Sequence, residues 1–315
     1  MSSWDEYNLS FLSRCIERTR LRMEALAADG RLPDEPDRTP WPEPPNRELE
    51  PRIVRLAERL NLTGFALDLL VLCTGMELDS RIPHLCAQLQ KSEELGYPTF
   101  SLALRLFPNA HWDALSANSP LRSNRIINID DRGLVTQARL SVDERVWQHL
   151  LGIDHIDHRL RRITESVPFP THLVESHRSI VAQATHGIQA STSSIIPIIQ
   201  LTGPSSSDQT RLSGAIGATF GLPLFRLPVF HLPEPGEQLE ELTHLMEREF
   251  VLDGTVFIID GHVDKSEHEP HGRSVARLLS QVPGPLIFIN RSRVSTGSRS
   301  TLLFDVPPPT PQEQL

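Results

Sequence analysis

The chain has 315 residues, of which 39% are hydrophobic and 23% are charged, as in an ordinary globular protein with room for two domains. Its formal net charge of -9 disfavours non-specific attraction to nucleic acid or to an anionic membrane. No apolar run approaches the roughly 20 residues that a membrane helix needs, and the amino terminus lacks a signal peptide's apolar centre. We therefore expect a cytoplasmic protein without a membrane or nucleic-acid partner. The three cysteines, an odd number without metal-ligand spacing, are expected to be reduced.

The first 168 residues predict a mostly helical domain. Apolar residues recur at helical spacing over residues 5–28 and again over 52–90, where breaks are expected near Thr63 and Gly75. Between these regions, residues 30–46 are rich in proline and predict an extended connector. Pro98 and Thr99 then open a predicted helix over residues 100–107.

After Pro120 the pattern changes to that of β-strands. Residues 125–130 and 134–140 are joined by Asp131-Arg132-Gly133, which predicts a β-hairpin, and a helix is predicted over 142–151. A helical bundle, a hairpin and a helix in this order form the layout of a winged helix, a fold that can place one helix in the DNA major groove. Residues 97–140, however, contain five arginines and three aspartates. This excess of positive charge is too small for a phosphate-binding surface. We therefore expect this domain to contact protein or to serve as a spacer.

The segment over residues 154–194 predicts a helical bridge with a bend at residues 167–170, which we take as the boundary between domains 1–168 and 169–315. It contains His155 and His158 beside Asp154 and Asp157, and such a set could bind a metal on one helix face. A solvated charged linker is the commoner interpretation of such a run.

In the second domain, strand-like and helical runs alternate. Apolar runs of strand length occupy residues 195–201, 222–227, 255–260, 285–290 and 301–306, and helices are predicted between them over 210–220, 237–250 and 273–281. This order predicts a parallel five-stranded sheet covered by helices on both faces. Ligands in such sheets bind beyond the carboxyl ends of the strands, so Gly203, Asp260 and Asn290 should converge on one crevice.

The loop after the first strand has the frame of a P-loop, G-x-x-x-x-G-K-[ST], whose backbone amides and lysine hold phosphates. The frame here is Gly203-Pro204-Ser205-Ser206-Ser207-Asp208-Gln209-Thr210. Asp208 replaces the second glycine and Gln209 replaces the lysine, so the loop gains a negative charge and loses a positive one. Taken alone, the same residues also fit a serine-rich turn before a helix. Asp260 ends an apolar strand as a Walker B aspartate does, but Gly261 stands where a catalytic glutamate normally follows.

These residues make the region over 170–315 similar to the α/β subdomain of an AAA+ ATPase. Gly203 and Thr210 match two Walker A positions, Asp260 matches the Walker B aspartate, and Asn290 matches the sensor-1 polar residue. A winged helix before such a degenerate P-loop module resembles the amino-terminal half of a bacterial AAA+ group, some of whose members are encoded beside contractile injection systems. The resemblance implies a nucleotide site at Gly203, Asp208, Gln209, Thr210, Asp260 and Asn290 that binds ATP or ADP with magnesium weakly or not at all. It also implies that the lid subdomain and any active second module are missing.

Three functions remain open. The first is a catalytically inactive regulatory, scaffolding or oligomer-assembly half of a larger ATP-driven machine, whose partners are other AAA+ modules or copies of itself. The second is residual ATP binding and ATPase activity in an oligomer. The third is a metal-dependent enzyme built on Asp260, His262, Asp264, His268 and His271, although this polar run with Pro270 also fits an exposed loop.

Overall fold

The computed structural model describes residues 3–29, 50–108, 110–130, 133–191, 196–262, 268–282, 284–297, 299–310 and 313. The chain divides into two compact units, Met1–His155 and Ile156–Leu315. The bend at residues 167–170, which the sequence marks as the domain boundary, belongs to the second unit. The proline-rich connector predicted over residues 30–46 lies outside the described residues.

The first unit is helical apart from one small hairpin. Its elements are α1 (Ser3–Asp29), α2 (Arg52–Arg59), α3 (Gly64–Leu78), α4 (Arg81–Gln90), α5 (Phe100–Leu106), α6 (Pro120–Ser123), β1 (Ile127–Ile129), β2 (Leu140–Val142) and α7 (Glu144–Leu150). The break predicted near Gly75 is wrong, because α3 continues through it. A Cβ at Gly75 would lie 2.6 Å from Cδ1 of Ile82, so this glycine allows close packing and does not end the helix.

The hairpin is present, but its second strand lies later in the chain than predicted. Strand β2 pairs antiparallel with β1, with Ile127 opposite Val142. The preceding residues form a turn, in which the amide of Gln137 donates to the carbonyl oxygen of Leu134 at 2.9 Å. This turn lies against the start of α5, where the amide of Ser101 donates to the carbonyl oxygen of Thr136 at 2.9 Å. The loop of the hairpin therefore folds back onto α5.

Helix α5 belongs to the core of the first unit. Four of its seven residues are buried, namely Phe100, Leu102, Ala103 and Leu106. The ring of Phe100 packs edge-on against that of Phe65 in α3, with centroids 5.7 Å apart. Arg105 is exposed, and its guanidinium donates to the carbonyl oxygen of Leu89 at 3.1 Å. The helix that a DNA-binding winged helix would place in the major groove is thus largely used for packing.

The second unit is an α/β domain. Its elements are α8 (His158–Arg161), β3 (Glu165–Val167), α9 (Glu175–Gln189), β4 (Ile198–Thr202), α10 (Ser206–Phe220), β5 (Leu224–Pro228), α11 (Glu237–Asp253), β6 (Val256–Asp260), α12 (His268–Gln281), β7 (Leu286–Asn290) and β8 (Thr301–Asp305). In the described part of the chain, the sheet has six strands in the order β3-β5-β6-β7-β4-β8. The five predicted strands are parallel, and β3 adds an antiparallel edge.

The prediction of five strands and a helical bridge over residues 154–194 needs correction. The bridge contains the strand β3 between α8 and α9. This strand has only three residues, and Glu165 and Ser166 are exposed, so no apolar run marks it in the sequence. It forms because the edge of β5 offers backbone partners, with Glu165 opposite Arg226 in the register.

Apolar clusters cover both faces of the sheet. Phe257 and Ile259 of β6 belong to one cluster, which includes Leu239 and Leu278 from the helices. Ile258, between them in the sequence, belongs to the other cluster, which includes Leu212 of α10. This alternation follows from the two-residue period of a strand, and it makes β6 hydrophobic throughout. Among the helices of the described residues, none has the length and hydropathy needed to cross a bilayer.

Candidate functional site

Gly203, Asp260 and Asn290 lie together at the carboxyl edge of the sheet, as the sequence predicts. Strand β7 lies between β4 and β6, and its last residue, Asn290, is in register with Thr202 of β4. The amide of Gly203 donates to the carbonyl oxygen of Asn290 at 3.0 Å, and the amide of Gly261 donates to that of Ile289 at 2.8 Å. The strand ends are therefore tied to one another by backbone hydrogen bonds.

Gly203 is required here by a close backbone approach. A Cβ at this position would collide with the carbonyl oxygen of Val306 and would lie 3.3 Å from Nε2 of Gln209. The chain after β8 therefore occupies the space beside the loop. Packing alone is sufficient reason for a glycine at position 203.

The loop between β4 and the next helix has only three residues. Helix α10 starts at Ser206, four residues before the predicted start at Thr210. Ser205 is its N-cap, and its hydroxyl accepts from the amide of Asp208 at 3.2 Å, while the amide of Gln209 donates to the carbonyl oxygen of Ser205. An N-cap serine and an acidic residue in the first turn both favour a helix start at this point. Asp208, Gln209 and Thr210 are consequently helical, and two amides that could face a phosphate are already bonded.

Gln209 is fully buried and bridges two strand ends. Its Nε2 donates to the carbonyl oxygen of Asn290 at 3.0 Å and to that of Gly203 at 3.3 Å. Its Oε1 is buried and has no hydrogen-bond partner among the described residues. The side-chain amide of Gln209 thus contacts the chain's own carbonyl oxygens.

Asp260 is 2% exposed, and both of its carboxylate oxygens accept hydrogen bonds. Oδ2 accepts from the hydroxyl of Ser206 at 2.8 Å and from Nε and Nη2 of Arg226 at 2.8 and 2.6 Å. Oδ1 lies 2.9 Å from the amide nitrogen of His262 and 3.1 Å from its ring Nδ1. The chain itself therefore supplies the partners of this carboxylate.

These contacts decide the charge state of Asp260. Burial alone would raise the pKa of the carboxyl group. The hydrogen bonds from His262, Arg226 and Ser206 outweigh burial and lower the pKa from 3.8 to about 2. Asp260 is thus an anion held by the guanidinium of Arg226, the hydroxyl of Ser206 and the backbone amide of His262.

The remaining predicted residues lie close by. Asn290 is 5% exposed, and its Oδ1 accepts from the amide of Arg291 at 2.8 Å. Thr210 is half-buried and lines a cavity of about 540 Å³, together with Ser206, Arg211 and Arg226. Arg226 in this cavity wall is already paired with Asp260, and the amides of Asp208 and Gln209 at the start of α10 are bonded to Ser205.

The metal-dependent alternative is not supported by a ligand cluster. Within the described ranges, no group of three or more His, Cys, Asp and Glu side chains is arranged to hold a metal ion. Asp264 and the side chain of His268 fall outside those ranges. The Nε2 of His262 lies 3.3 Å from the carbonyl oxygen of Gly203, so this ring bridges the end of β6 and the loop after β4.

The sequence interpretation misses Arg226 and the role of Ser206. Arg226 is a charged residue within the apolar run Leu224-Phe225-Arg226-Leu227, and this is the one signal that could have identified it. A charged side chain in a strand of this kind needs a partner, and Asp260 at the end of the neighbouring strand provides it.

Comparison with known protein families identifies the first region of the chain. Residues 17–164 match the family model described as "Winged helix domain, variant". No curated protein matches the chain. The solved structure "Structure of Rhizobiales Trip13" is similar to part of the chain, with 15% identity. The match covers 45% of this chain and 68% of that one, with a TM-score of 0.26. The chain therefore consists of a helical winged-helix region followed by an α/β domain with a mostly parallel six-stranded sheet.

Proposed function

We propose that the second unit is an AAA+-like module without catalytic activity, and that the chain serves as a regulatory, scaffolding or oligomer-assembly half of a larger ATP-driven machine. The observation that carries this proposal is the state of Asp260, whose oxygens accept from Arg226, Ser206 and His262. A magnesium ion needs free oxygen ligands in nearly octahedral geometry. To bind here, it would have to displace Arg226 from a buried carboxylate.

Two further features support the loss of activity. Gln209 replaces a charge-assisted contact to phosphate worth about 1.5 to 3 kcal/mol, or about one to two decades of affinity. A Cβ at Gly261 would lie 3.1 Å from Cζ of Phe288 and 3.2 Å from Cγ of Asn290, which leaves little room for a catalytic glutamate. A positioned base contributes about 10² to 10⁴ to a rate, so its absence alone would make hydrolysis slow.

A protein-binding role for the winged-helix region accompanies this proposal. The packing of α5 and the loop folded over its start leave little of that helix for a groove of DNA. We propose other AAA+ modules or further copies of this chain as partners, and no nucleic acid. Sedimentation at increasing protein concentration tests self-association. If the chain stays strictly monomeric, other AAA+ modules are the remaining candidate partners.

A phosphate-release assay tests the proposal against the two alternatives. We expect the chain with ATP and magnesium to release phosphate at the background rate at every protein concentration, as the variant Asp260→Asn does. Turnover per chain that rises with concentration and is lost in Asp260→Asn would contradict the proposal and support ATPase activity in an oligomer. Stoichiometric metal in the purified protein would support the metal-dependent enzyme.

A further inference from the structure

The first unit contains a cavity of about 500 Å³ between α5 and the turn before β2, here called the α5 pocket. The loop after α4 lines it with Leu95 and Tyr97, α5 lines it with Arg105, and the turn lines it with Leu134. Pockets that hold ligands commonly measure about 300 to 1,000 Å³, so this one has room for several side chains of a partner.

Hydrogen bonds hold both sides of the α5 pocket in place. On one side, Nε2 of Gln90 donates to the carbonyl oxygens of Leu95 and Tyr97 at 2.9 and 2.8 Å. The Oε1 of the same glutamine accepts from the hydroxyl of Thr99 at 2.7 Å. On the other side, the turn before β2 is tied to α5 through its backbone. The pocket is therefore preformed, which lowers the cost of ordering its walls when a ligand binds.

Arg105 is the charged group among the described residues that line the α5 pocket, and none of them is acidic. Its Nη1 donates to the carbonyl oxygen of Leu89 at 3.1 Å, whereas its Nε and Nη2 have no hydrogen-bond partner in the described part of the chain. In a protein of net charge -9, a pocket whose charged residue is an arginine favours an anionic ligand. One guanidinium balances a carboxylate, which carries one charge, better than a phosphate group, which carries about -1.5 to -2.

Apolar surface continues from the α5 pocket onto the turn before β2. Leu134 lines the pocket and is 68% exposed, and Val135 next to it is 46% exposed. Adjacent exposed apolar side chains are typical of a surface that a partner covers. A small acid in the pocket would leave these side chains in water, whereas an extended peptide would cover the pocket and the turn together.

We propose that the α5 pocket binds an extended protein segment in which an aspartate or glutamate lies next to a leucine or another large apolar residue. The carboxylate pairs with Arg105, and the apolar side chain lies between Leu95 and Leu134. This inference rests on the proposed protein-binding role of the winged-helix region, and it names the surface and the chemistry of the partner. A short peptide forms few contacts, so we expect a dissociation constant on the order of 10⁻⁴ M.

The test titrates the full chain into a fluorescently labelled peptide whose centre reads leucine-aspartate-leucine within a glycine-serine sequence, and it follows the anisotropy. Two matched peptides carry asparagine in place of the aspartate, or serine in place of both leucines. We expect saturable binding of the first peptide and binding at least about tenfold weaker of the other two, because each lacks the carboxylate or the apolar side chains. No saturable binding of the first peptide, or equal binding of all three, would overturn the proposal. Displacement of the first peptide by an equal concentration of N-acetylaspartate amide would also overturn it, because the ligand would then be a small acid.

Two matched pairs of variants locate the site. Arg105→Gln removes the guanidinium of the pocket, and Arg122→Gln removes one that also donates to a backbone carbonyl oxygen, that of Leu115, but does not line the pocket. Leu134→Ser removes the exposed leucine of the pocket, and Leu21→Ser removes one that is 51% exposed in α1. We expect Arg105→Gln and Leu134→Ser to weaken binding of the first peptide about tenfold and the other two variants to bind as the wild type does. Wild-type affinity of folded Arg105→Gln and Leu134→Ser, or equal weakening in all four variants, would overturn the site.

This test can fail separately from the proposed function. The peptide titration involves neither ATP nor Asp260, so a negative result would reject the α5 pocket and leave the phosphate-release test of catalytic inactivity unaffected. Phosphate release by the wild type would reject catalytic inactivity and leave a positive peptide titration in force.

Discussion

Arg226 and Asp260 are joined through a single carboxylate oxygen, with Nε and Nη2 of the arginine 2.8 and 2.6 Å from Oδ2. Arg226 lies in β5 and Asp260 ends β6, and the two strands are neighbours in the sheet. By the resemblance to AAA+ ATPases, this carboxylate matches the Walker B aspartate, which in active members is placed to hold a magnesium-bound water or ligand. In this chain the site of that positive charge is taken by an arginine of the protein itself.

Loss of this arginine should destabilise the second unit. We expect Arg226→Ala to lower the free energy of unfolding by about 1 to 3 kcal/mol, because Asp260 stays buried and loses its cationic partner while Ser206 and His262 still donate. All four tryptophans precede residue 156, so their fluorescence reports on the first unit. Hydrogen exchange of the β6 and β7 amides is therefore the measurement. Arg211→Ala, in the same cavity wall but exposed, is the control and should leave these amides unchanged. Equal effects of the two variants would contradict the importance of the pair.

The pKa of Asp260 predicts an acid-dependent loss of stability. Because the pKa is lowered from 3.8 to about 2 on folding, the stabilisation is fully present above pH 4 and is lost as the pH falls toward 2. We expect the advantage of the wild type over Asp260→Asn in the second unit to shrink by about 2 kcal/mol across this range. Asp157 also has a pKa lowered to about 2, but it titrates in both proteins and cancels in the difference. Hydrogen exchange at pH 5 and pH 3 should already show about 1 kcal/mol of this loss, and parallel pH dependence in both proteins would argue against it.

If the second unit is AAA+-like, as proposed, a glutamate introduced after Asp260 should not produce catalysis. The space beside Gly261 is filled by Phe288 and Asn290, so we expect Gly261→Glu to destabilise the second unit by about 1 to 3 kcal/mol without producing ATP hydrolysis. Gly272→Glu is the matched control, because a Cβ at Gly272 meets nothing within 4 Å and glutamate favours helix more than glycine does. Hydrogen exchange and phosphate release measure the two effects. A stable Gly261→Glu protein with steady turnover would show that the site can still accept a base.

The winged-helix region should not bind duplex DNA. Helix α5 buries most of its residues, and Arg105 is the exposed one among its seven residues. We expect no dissociation constant below about 10⁻⁶ M at physiological salt, which is the tightest value typical of non-specific binding. Fluorescence anisotropy with a labelled duplex, repeated at several salt concentrations, measures this. Tighter binding with a steep salt dependence would overturn the protein-contact interpretation.

The sequence predicts the parallel strands well because each is a buried apolar run bounded by turn residues, and their carboxyl ends bring Gly203, Asp260 and Asn290 together. The sequence does not predict those elements whose position depends on tertiary contacts. The strand β3 has no apolar pattern, and β2 begins later than predicted because the residues before it fold onto α5. The early start of α10 depends on capping by Ser205, which the P-loop frame obscures.

The pairing of Arg226 with Asp260 could not be read from one chain. It depends on which strands are neighbours, and β5 and β6 are separated in the sequence by α11. An arginine within an apolar strand indicates that a partner exists but does not identify it.

Calorimetric titration of the chain with ATP and magnesium measures whether a nucleotide binds where β4, β6 and β7 end. We expect no saturable heat up to about 1 mM ATP, because Gln209 and Asp260 are already bonded within the chain. The variant Asp260→Asn should give the same trace. Binding near 1 μM by the wild type that is lost in Asp260→Asn would contradict the account.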